Sequence, residues 1–296
     1  SRGLGDVYKR QTVTFFATRA VPGGPFASEK AITPAAKAAL EAKYGLDKPV
    51  LEQYTTYLKD IVLHFDFGPS LKQRGRQVID VITDGLKTSA KLGVIAAFAS
   101  LICGVVLGAI AALRRNKVID RVIMVITTAF VSMPSFIMGS LMLVAFSIKL
   151  AILPANGSTT EGLILPVITL ALYPTAYITR LTRSSMLDVL GQDYIRTAKA
   201  KGVPGKRIIF GHALKNSLIP VITYFGPMLA YIVTGSLVVE QIFAVPGIGR
   251  AFVNSIINRD YPLIMGTTIV LAALIVIMNL VGDILYKVVD PRINLE

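Results

Sequence analysis

Five stretches of this chain carry no charged side chain over the length needed to cross a lipid bilayer. They cover residues 92–113, 122–148, 162–179, 216–239 and 261–282, which are 22, 27, 18, 24 and 22 residues. A helix rises 1.5 Å per residue, so about 20 residues span the roughly 30 Å hydrocarbon core. Each run therefore reads as one transmembrane helix, the 18-residue run at the lower limit. Lipid offers no partner for backbone N–H and C=O groups, which leaves helices as the spanning form for runs of this length. The expected class is an all-α polytopic membrane protein. A soluble domain is argued against because only 17% of the 296 residues are charged and 53% are hydrophobic, against about 25% charged in ordinary soluble domains. Disorder would need the reverse balance. Pro134, Pro166, Pro174, Pro220 and Pro227 fall within the runs, so kinked helices are expected where neighbouring helices can satisfy the freed carbonyls.

The distribution of charge sets orientation. Residues 114–121 carry four basic side chains against one acidic and residues 180–215 eight against two, whereas 149–161 is one against one and 240–260 two against two. Basic loops stay on the cytoplasmic side, and the alternation holds across all four loops. It places the tail 283–296 in the cytoplasm and residues 22–91 outside. The apolar run at residues 12–18 ends at Arg19 and is far too short to cross. Residues 12–21 are therefore expected to be the outer end of a first transmembrane helix whose beginning is absent. Residues 1–11, polar and unpatterned, are expected to be a non-native start. The outer segment alternates helix-forming stretches, 34–43 and 50–63, with turn signals such as Pro22-Gly23-Gly24-Pro25 and Phe67-Gly68-Pro69, and reads as a small ordered cap.

Within the first run, Ala96, Ser100, Gly104, Gly108 and Ala112 recur every fourth residue and leave one ridge of the helix nearly bare, which lets another helix approach closely. Such a ridge serves either as a sliding contact or, more commonly, as static packing. None of the five runs holds an ionisable side chain, which argues against proton- or ion-coupled carriers and voltage sensors. A neutral pathway remains open to Thr127, Thr128, Ser132, Ser135, Tyr173, Tyr177, Tyr224, Thr234 and Asn279, although most such hydroxyls bond to their own helix. Catalytic and metal-binding patterns are absent: there is one cysteine, Cys103, and the two histidines, His64 and His212, stand in no paired context. Gly202-Val203-Pro204-Gly205-Lys206-Arg207 lacks the spacing and the hydroxyl of a phosphate loop. No cofactor is expected in this chain.

The 180–215 loop carries the strongest local pattern. Asp193 can cap a short helix over 194–201, Gly202 can supply its left-handed C-terminal residue, and Pro204-Gly205 can turn the chain into a second helix. Leu187, Leu190, Tyr194 and Ala198 would share an apolar face. A basic stretch between spans is usually just solvated, and positive charge alone also fits a helix-turn-helix on DNA. The 36-residue length, the capping and a membrane segment on each side favour a cytoplasmic protein partner over nucleic acid.

At this loop the chain resembles the permease subunits of bacterial or archaeal ATP-binding-cassette (ABC) importers, most closely the oligopeptide and dipeptide permease B subunits. Those families carry a motif written EAA, three residues, Gly, nine residues, I-x-L-P. The matching residues are Arg196-Thr197-Ala198, Gly202 and His212-Ala213-Leu214-Lys215. Ala, Gly and Leu are kept, while Arg replaces Glu and Lys replaces Pro, as in the peptide branch. The similarity extends through Pro22-Gly23-Gly24-Pro25-Phe26, Tyr44-Gly45-Leu46-Asp47-Lys48-Pro49, Asp66-Phe67-Gly68-Pro69-Ser70, Gly235-Ser236 to Glu240, Val245-Pro246-Gly247-Ile248-Gly249, Asn258-Arg259-Asp260-Tyr261 and Asp290-Pro291-Arg292.

The resemblance implies the type I ABC importer permease fold, MetI-like, with six family helices of which the first is truncated here. It implies a non-catalytic subunit in the bacterial cytoplasmic (inner) membrane that forms a pathway for oligopeptides or dipeptides. The implied partners are a second permease, two cytoplasmic ATPase subunits that bind ATP and Mg, and an extracytoplasmic binding protein. Tyr194, Arg196, Thr197, Ala198, Gly202, His212 and Leu214 would form the ATPase-coupling loop. Similar permeases carry nickel or glutathione, and an ATPase-independent peptide channel is the reading from another class.

Overall fold

The computed structural model describes residues 2–20, 24–26 and 34–289. The Pro22-Gly23 part of the first turn motif, Asp290-Pro291-Arg292 and the tail beyond residue 289 lie outside them. Among the described residues the chain is helical, in the order α1 Arg2–Ala20, α2 Pro34–Lys43, α3 Val50–His64, α4 Val78–Leu113, α5 Val118–Ser132, α6 Ser135–Met142, α7 Ile164–Leu190, α8 Asp193–Ala200, α9 Gly205–Arg207, α10 Lys215–Ser217, α11 Ile219–Val233, α12 Leu237–Ile242, α13 Ile248–Asn258 and α14 Tyr261–Val289. π-helical turns at Leu143–Lys149 and Ile208–Leu214 continue α6 and α9, and a 3-10 turn, Glu161–Leu163, leads into α7.

Among the described residues, three helical stretches are long and apolar enough to cross a membrane: Val78–Leu113, Glu161–Leu190 and Tyr261–Gly282. Two bent pairs, Val118–Ser132 with Ser135–Lys149 and Gly205–Ser217 with Ile219–Val233, raise the number to five if each pair is one span. The bends follow the prolines unevenly. At Met133-Pro134 the pair turns by 108°, because proline pushes the residue before it out of the helical region, and Met133 is extended at φ −90°, ψ 128°. The 47° bend comes just before Pro220. At Pro174 and Pro227 the helices run on.

The chain divides into two compact units, residues 1–88 with 246–276 and residues 89–245 with 277–296, so the division falls within α4 and within α14. In the first unit, helix α4 begins fourteen residues ahead of the uncharged run. Residues 78–88 are amphipathic: Val78, Val81 and Ile82 are buried with Phe67, Ile248 and Leu263, while Asp84 lies on the surface, paired with Arg76 at 2.6 Å. At the next residue, a Cβ added at Gly85 would stand 2.9 Å from the Ile248 nitrogen, so the absence of a side chain there seats the Gly247-Ile248 backbone. Two other motifs, far apart in sequence, meet at Asp260, which is 1% exposed. Its carboxylate accepts hydrogen bonds from the Ser70 hydroxyl and, at 3.1 Å, from the Leu71 amide. Arg259 reverses the chain just before it at φ +56°. Asp260→Ala orphans these buried donors at about 1–3 kcal/mol each. Calorimetry of the purified chain in detergent should show a clear drop in melting temperature, and a smaller one for Asp260→Asn, which keeps an acceptor oxygen.

In the second unit the small-residue ridge is tightly packed. A Cβ at Gly104 would stand 2.7 Å from Ile178 Cβ, and one at Gly108 2.6 Å from the Thr179 carbonyl oxygen. Ala96, Ser100 and Ala112 are buried along the same line, and Ser100 donates to its own Ala97 carbonyl at 2.7 Å. The ridge is a close packing seam against α7. Gly108→Val forces backbone to move, an overpacking cost of about 1–3 kcal/mol or more. Size-exclusion profiles should show loss of monodisperse protein, whereas Gly211→Ala, whose added carbon meets nothing nearer than 3.8 Å, should behave as wild type.

Glu240, which counts as a loop charge in the sequence, is fully buried here. Its carboxylate accepts from the Ser89 hydroxyl at 2.7 Å and from the Ser236 amide at 3.1 Å. The Ser236 hydroxyl in turn caps α12 by accepting from the Val239 amide at 3.1 Å. The uncharged run 216–239 thus ends in a turn and a short helix rather than one continuous span.

Candidate functional site

Helix α7 outruns its uncharged stretch and ends at Leu190, where the Gly191 amide donates back to the Leu187 and Asp188 carbonyls. Gln192 is extended, at φ −71°, ψ 150°, and α8 starts at the next residue. Asp193 is therefore not the cap that its residue type predicts: it sits in the first turn, where a negative charge suits the helix dipole, and pairs with Arg196 at 3.4 Å. The other end matches expectation. Gly202 lies at φ +74°, its amide donates to the Lys199 carbonyl at 3.0 Å and the Val203 amide to the Ala198 carbonyl at 3.1 Å. This pair of bonds is a Schellman cap. Nothing lies within 4 Å of where a Gly202 side chain would be, so glycine is needed for backbone shape alone.

The buried face of α8 differs from the expected one. Ile195 is completely buried, while Tyr194, Arg196 and Thr197 are exposed and Ala198 half-buried. The break at Gly191-Gln192 resets the helical phase, so the face that Leu187 and Leu190 define on α7 does not continue through Tyr194. Leu187 and Leu190 pack instead with Val189 and Ile209 around Ala112, Met186 and Ala213. The Tyr194 hydroxyl accepts from Asn216 Nδ2 at 2.9 Å and ties α8 to α10. His212 and Leu214 are half-buried in the π-helical turn on either side of buried Ala213. Of the seven candidate residues, Tyr194, Arg196, Thr197 and Gly202 thus share the exposed surface of the hairpin with Lys199, Lys201, Lys206 and Arg207. Phe210, 66% exposed, adds an apolar group that the sequence pattern did not single out.

The hairpin stands on a base that was also not anticipated. Asp120, 2% exposed, receives Arg183 in a two-pronged pair, Nε to Oδ1 at 2.6 Å and Nη2 to Oδ2 at 2.8 Å. The Asn116 amide donates to the same carboxylate at 2.9 Å. One turn away, Arg180 Nη2 donates to Thr128 Oγ1 at 2.6 Å. These contacts pin α5 to α7 at the root of the loop. The sequence clue was that Asp120 is the one acidic residue among four basic ones in 114–121.

The hydroxyls of the spans mostly serve their own helices: Thr127 and Thr128 bond to the Met124 carbonyl, Ser132 to that of Thr128 and Thr234 to that of Tyr231. Tyr173 and Tyr177 are exposed one turn apart on α7, and the Tyr177 ring lies 4.3 Å from that of Tyr224.

Residues 104–295 match the family model of the binding-protein-dependent transport system inner membrane component. The chain is 47% identical over 286 residues to the dipeptide transport system permease protein DppB of Bacillus subtilis, covering 96% of this chain and 92% of that one. It is 45% identical over 286 residues to the oligopeptide transport system permease protein OppB of Salmonella typhimurium, covering 96% and 93%. Among solved structures, the inward-facing MetNI methionine ABC transporter superposes with a TM-score of 0.56 at 16% identity, over 71% of this chain and 97% of that one. An amino acid ABC transporter crystallised with histidines gives 0.56 at 16% identity, over 73% and 95%. At that identity the solved structures show the fold, the MetI-like permease fold of ABC importers. The chain is an integral membrane protein that belongs to the inner-membrane permease components of binding-protein-dependent transport systems, in the oligopeptide and dipeptide permease B branch.

Proposed function

We propose that this chain is the peptide-conducting subunit of an ATP-driven importer in the bacterial cytoplasmic membrane. It pairs with a second permease, rests α8 in a groove of one of two cytoplasmic ATPase subunits, and takes peptide from an extracytoplasmic binding protein. The observation that carries this reading is α8 itself. It is a short helix held at Ile195 and locked at its end by the Gly202 cap, and it turns Tyr194, Arg196 and Thr197 outward. A rigid, rooted helix transmits a push from a partner where a mobile loop would absorb it. The excess of basic residues in 180–215 supports a cytoplasmic position for this surface. ATP and Mg would be bound by the ATPase subunits, and this chain contributes the pathway and the lever. The relatives' peptide names support the cargo.

Proteoliposomes holding the full complex with its binding protein test the proposal. Labelled dipeptide should accumulate with ATP and not without it. Uptake independent of ATP would establish the channel reading instead, and uptake of nickel or glutathione without peptide would reassign the cargo.

A further inference from the structure

Four tyrosines of the second unit differ from the threonines and serines around them, whose hydroxyls mostly bond to their own helices. Tyr173 and Tyr177 lie one turn apart on α7, and Tyr224 and Tyr231 lie seven residues apart on α11, a spacing that returns both to nearly one side of the helix. The Tyr177 and Tyr224 rings meet at 4.3 Å between centroids. Helix α7 leads into the cytoplasmic hairpin and α11 leads out of it, so Tyr173 and Tyr231 both stand outward of that contact. Tyr173, Tyr177 and Tyr231 are 51%, 41% and 77% exposed, and Tyr224 is half-buried. Among the described residues none of the four hydroxyls has a hydrogen-bond partner.

A phenol hydroxyl both donates and accepts, and hydrocarbon offers it neither. Tyrosines at the ends of spans keep the hydroxyl among lipid headgroups. Tyr173 is not at an end: it stands eleven residues into the uncharged run 162–179, about 16 Å along a helix and so near the middle of a roughly 30 Å core. This face therefore calls for a polar occupant within the membrane. The rungs are about 6 Å apart on α7 and about 10 Å apart on α11 at 1.5 Å per residue. An extended peptide rises about 3.3–3.6 Å per residue, so two or three residues of backbone reach from one rung to the next. The rungs carry no charge; Arg180, which donates to Thr128 Oγ1 at 2.6 Å, is the first charged residue after Tyr177 and follows the end of the run. Neutral phenols bond to backbone N–H and C=O groups whatever the side chains of the peptide, and their rings give those side chains an apolar surface to slide on.

We propose that Tyr173, Tyr177, Tyr224 and Tyr231 form a ladder lining the translocation pathway, and that it binds the backbone of a short peptide in transit. The proposal rests on the peptide-import reading and adds to it the residues that hold the cargo within the membrane.

Proteoliposomes holding the full complex, its binding protein and ATP test the ladder. With all four tyrosines changed to phenylalanine, uptake of labelled dialanine should fall at least tenfold. The melting temperature of the complex should stay where it is, because no bond within the chain is lost. In a chain carrying Cys103→Ser, a second variant, Tyr173→Cys, should react with a charged, water-soluble thiosulfonate, and transport of dialanine should slow that reaction at least threefold. Unchanged uptake by the four-tyrosine variant would overturn the ladder. So would a Tyr173→Cys thiol that does not react, which would place lipid on this face, or one whose reaction ignores dialanine. A melting temperature that falls together with uptake would assign the hydroxyls to contacts with the second permease instead. A wild-type complex that imports no peptide would contradict the import reading itself, whereas one that imports it no faster than the four-tyrosine variant would sink the ladder alone.

Discussion

A chain carrying Gly202→Pro is expected to reach the membrane in normal amount, assemble, and import peptide at less than a tenth of the wild-type rate. Proline holds φ near −65° and has no N–H, whereas residue 202 sits at φ +74° and donates to the Lys199 carbonyl. Both halves of the cap fail together, at a local cost of about 3 kcal/mol, and the last turn of α8 frays. The damage stays local because nothing beyond the adjoining chain lies within 4 Å of where a Cβ at residue 202 would stand. Gly202→Ala should be milder, since a non-glycine residue in the left-handed region costs about 1–2 kcal/mol. Ala198→Trp reaches the same outcome by another route: residue 198 is half-buried under the exposed face, and a large side chain there tilts α8 away from its seat. Uptake and ATP hydrolysis measured side by side in proteoliposomes check the pair. Hydrolysis that continues while uptake fails is the expected signature, and wild-type uptake by both variants would show that the capped helix is not the lever.

Removing Arg183 should have the largest effect on stability. Arg183→Met leaves the buried Asp120 carboxylate with the Asn116 amide as its one remaining hydrogen bond among those described. Breaking a buried pair from one side costs about 3–5 kcal/mol. The lower end applies here, because the Arg183 side chain is 24% exposed and water screens part of the charge. The expected result is a large fall in membrane yield and melting temperature. Asp120→Asn in the same chain should recover much of it, because no uncompensated charge is then buried. A single Arg183→Met variant as stable as wild type would show that the pair does not hold α5 to α7.

The parts of this architecture that depend on local chemistry were legible in the sequence. Uncharged runs located the three long apolar helices, within Val78–Leu113, Glu161–Leu190 and Tyr261–Gly282, and the other two runs fall on bent helix pairs. The Gly202 cap was visible because the left-handed position selects glycine, and the stretches 34–43 and 50–63, bounded by proline and turn residues, matched α2 and all but the last residue of α3. What was not legible depends on contacts between distant residues. Residues 78–91 carry four charged side chains, and only the packing of Val78, Val81 and Ile82 shows them to be helical. The phase of α8 was missed because a single extended residue, Gln192, rotates everything after it. The Asp120–Arg183 pair, the Ser70–Asp260 contact and the burial of Glu240 join residues 63, 190 and 151 positions apart. No local pattern encodes such partners. The Ala96–Ala112 ridge was readable as a packing surface, and Ile178, Thr179 and Thr182 on α7 emerged as its neighbours only from the structure.

The most direct test of the central claim, that α8 is the seat for an ATPase, is co-purification from membranes. The chain, tagged and expressed with its neighbouring genes, should bring down a second permease and two ATPase chains, identified by mass spectrometry. Tyr194→Ala combined with Gly202→Pro should release the ATPase chains and keep the second permease. ATPase chains that remain bound in full to this variant, or a wild-type chain that purifies alone while still passing peptide, would contradict the account.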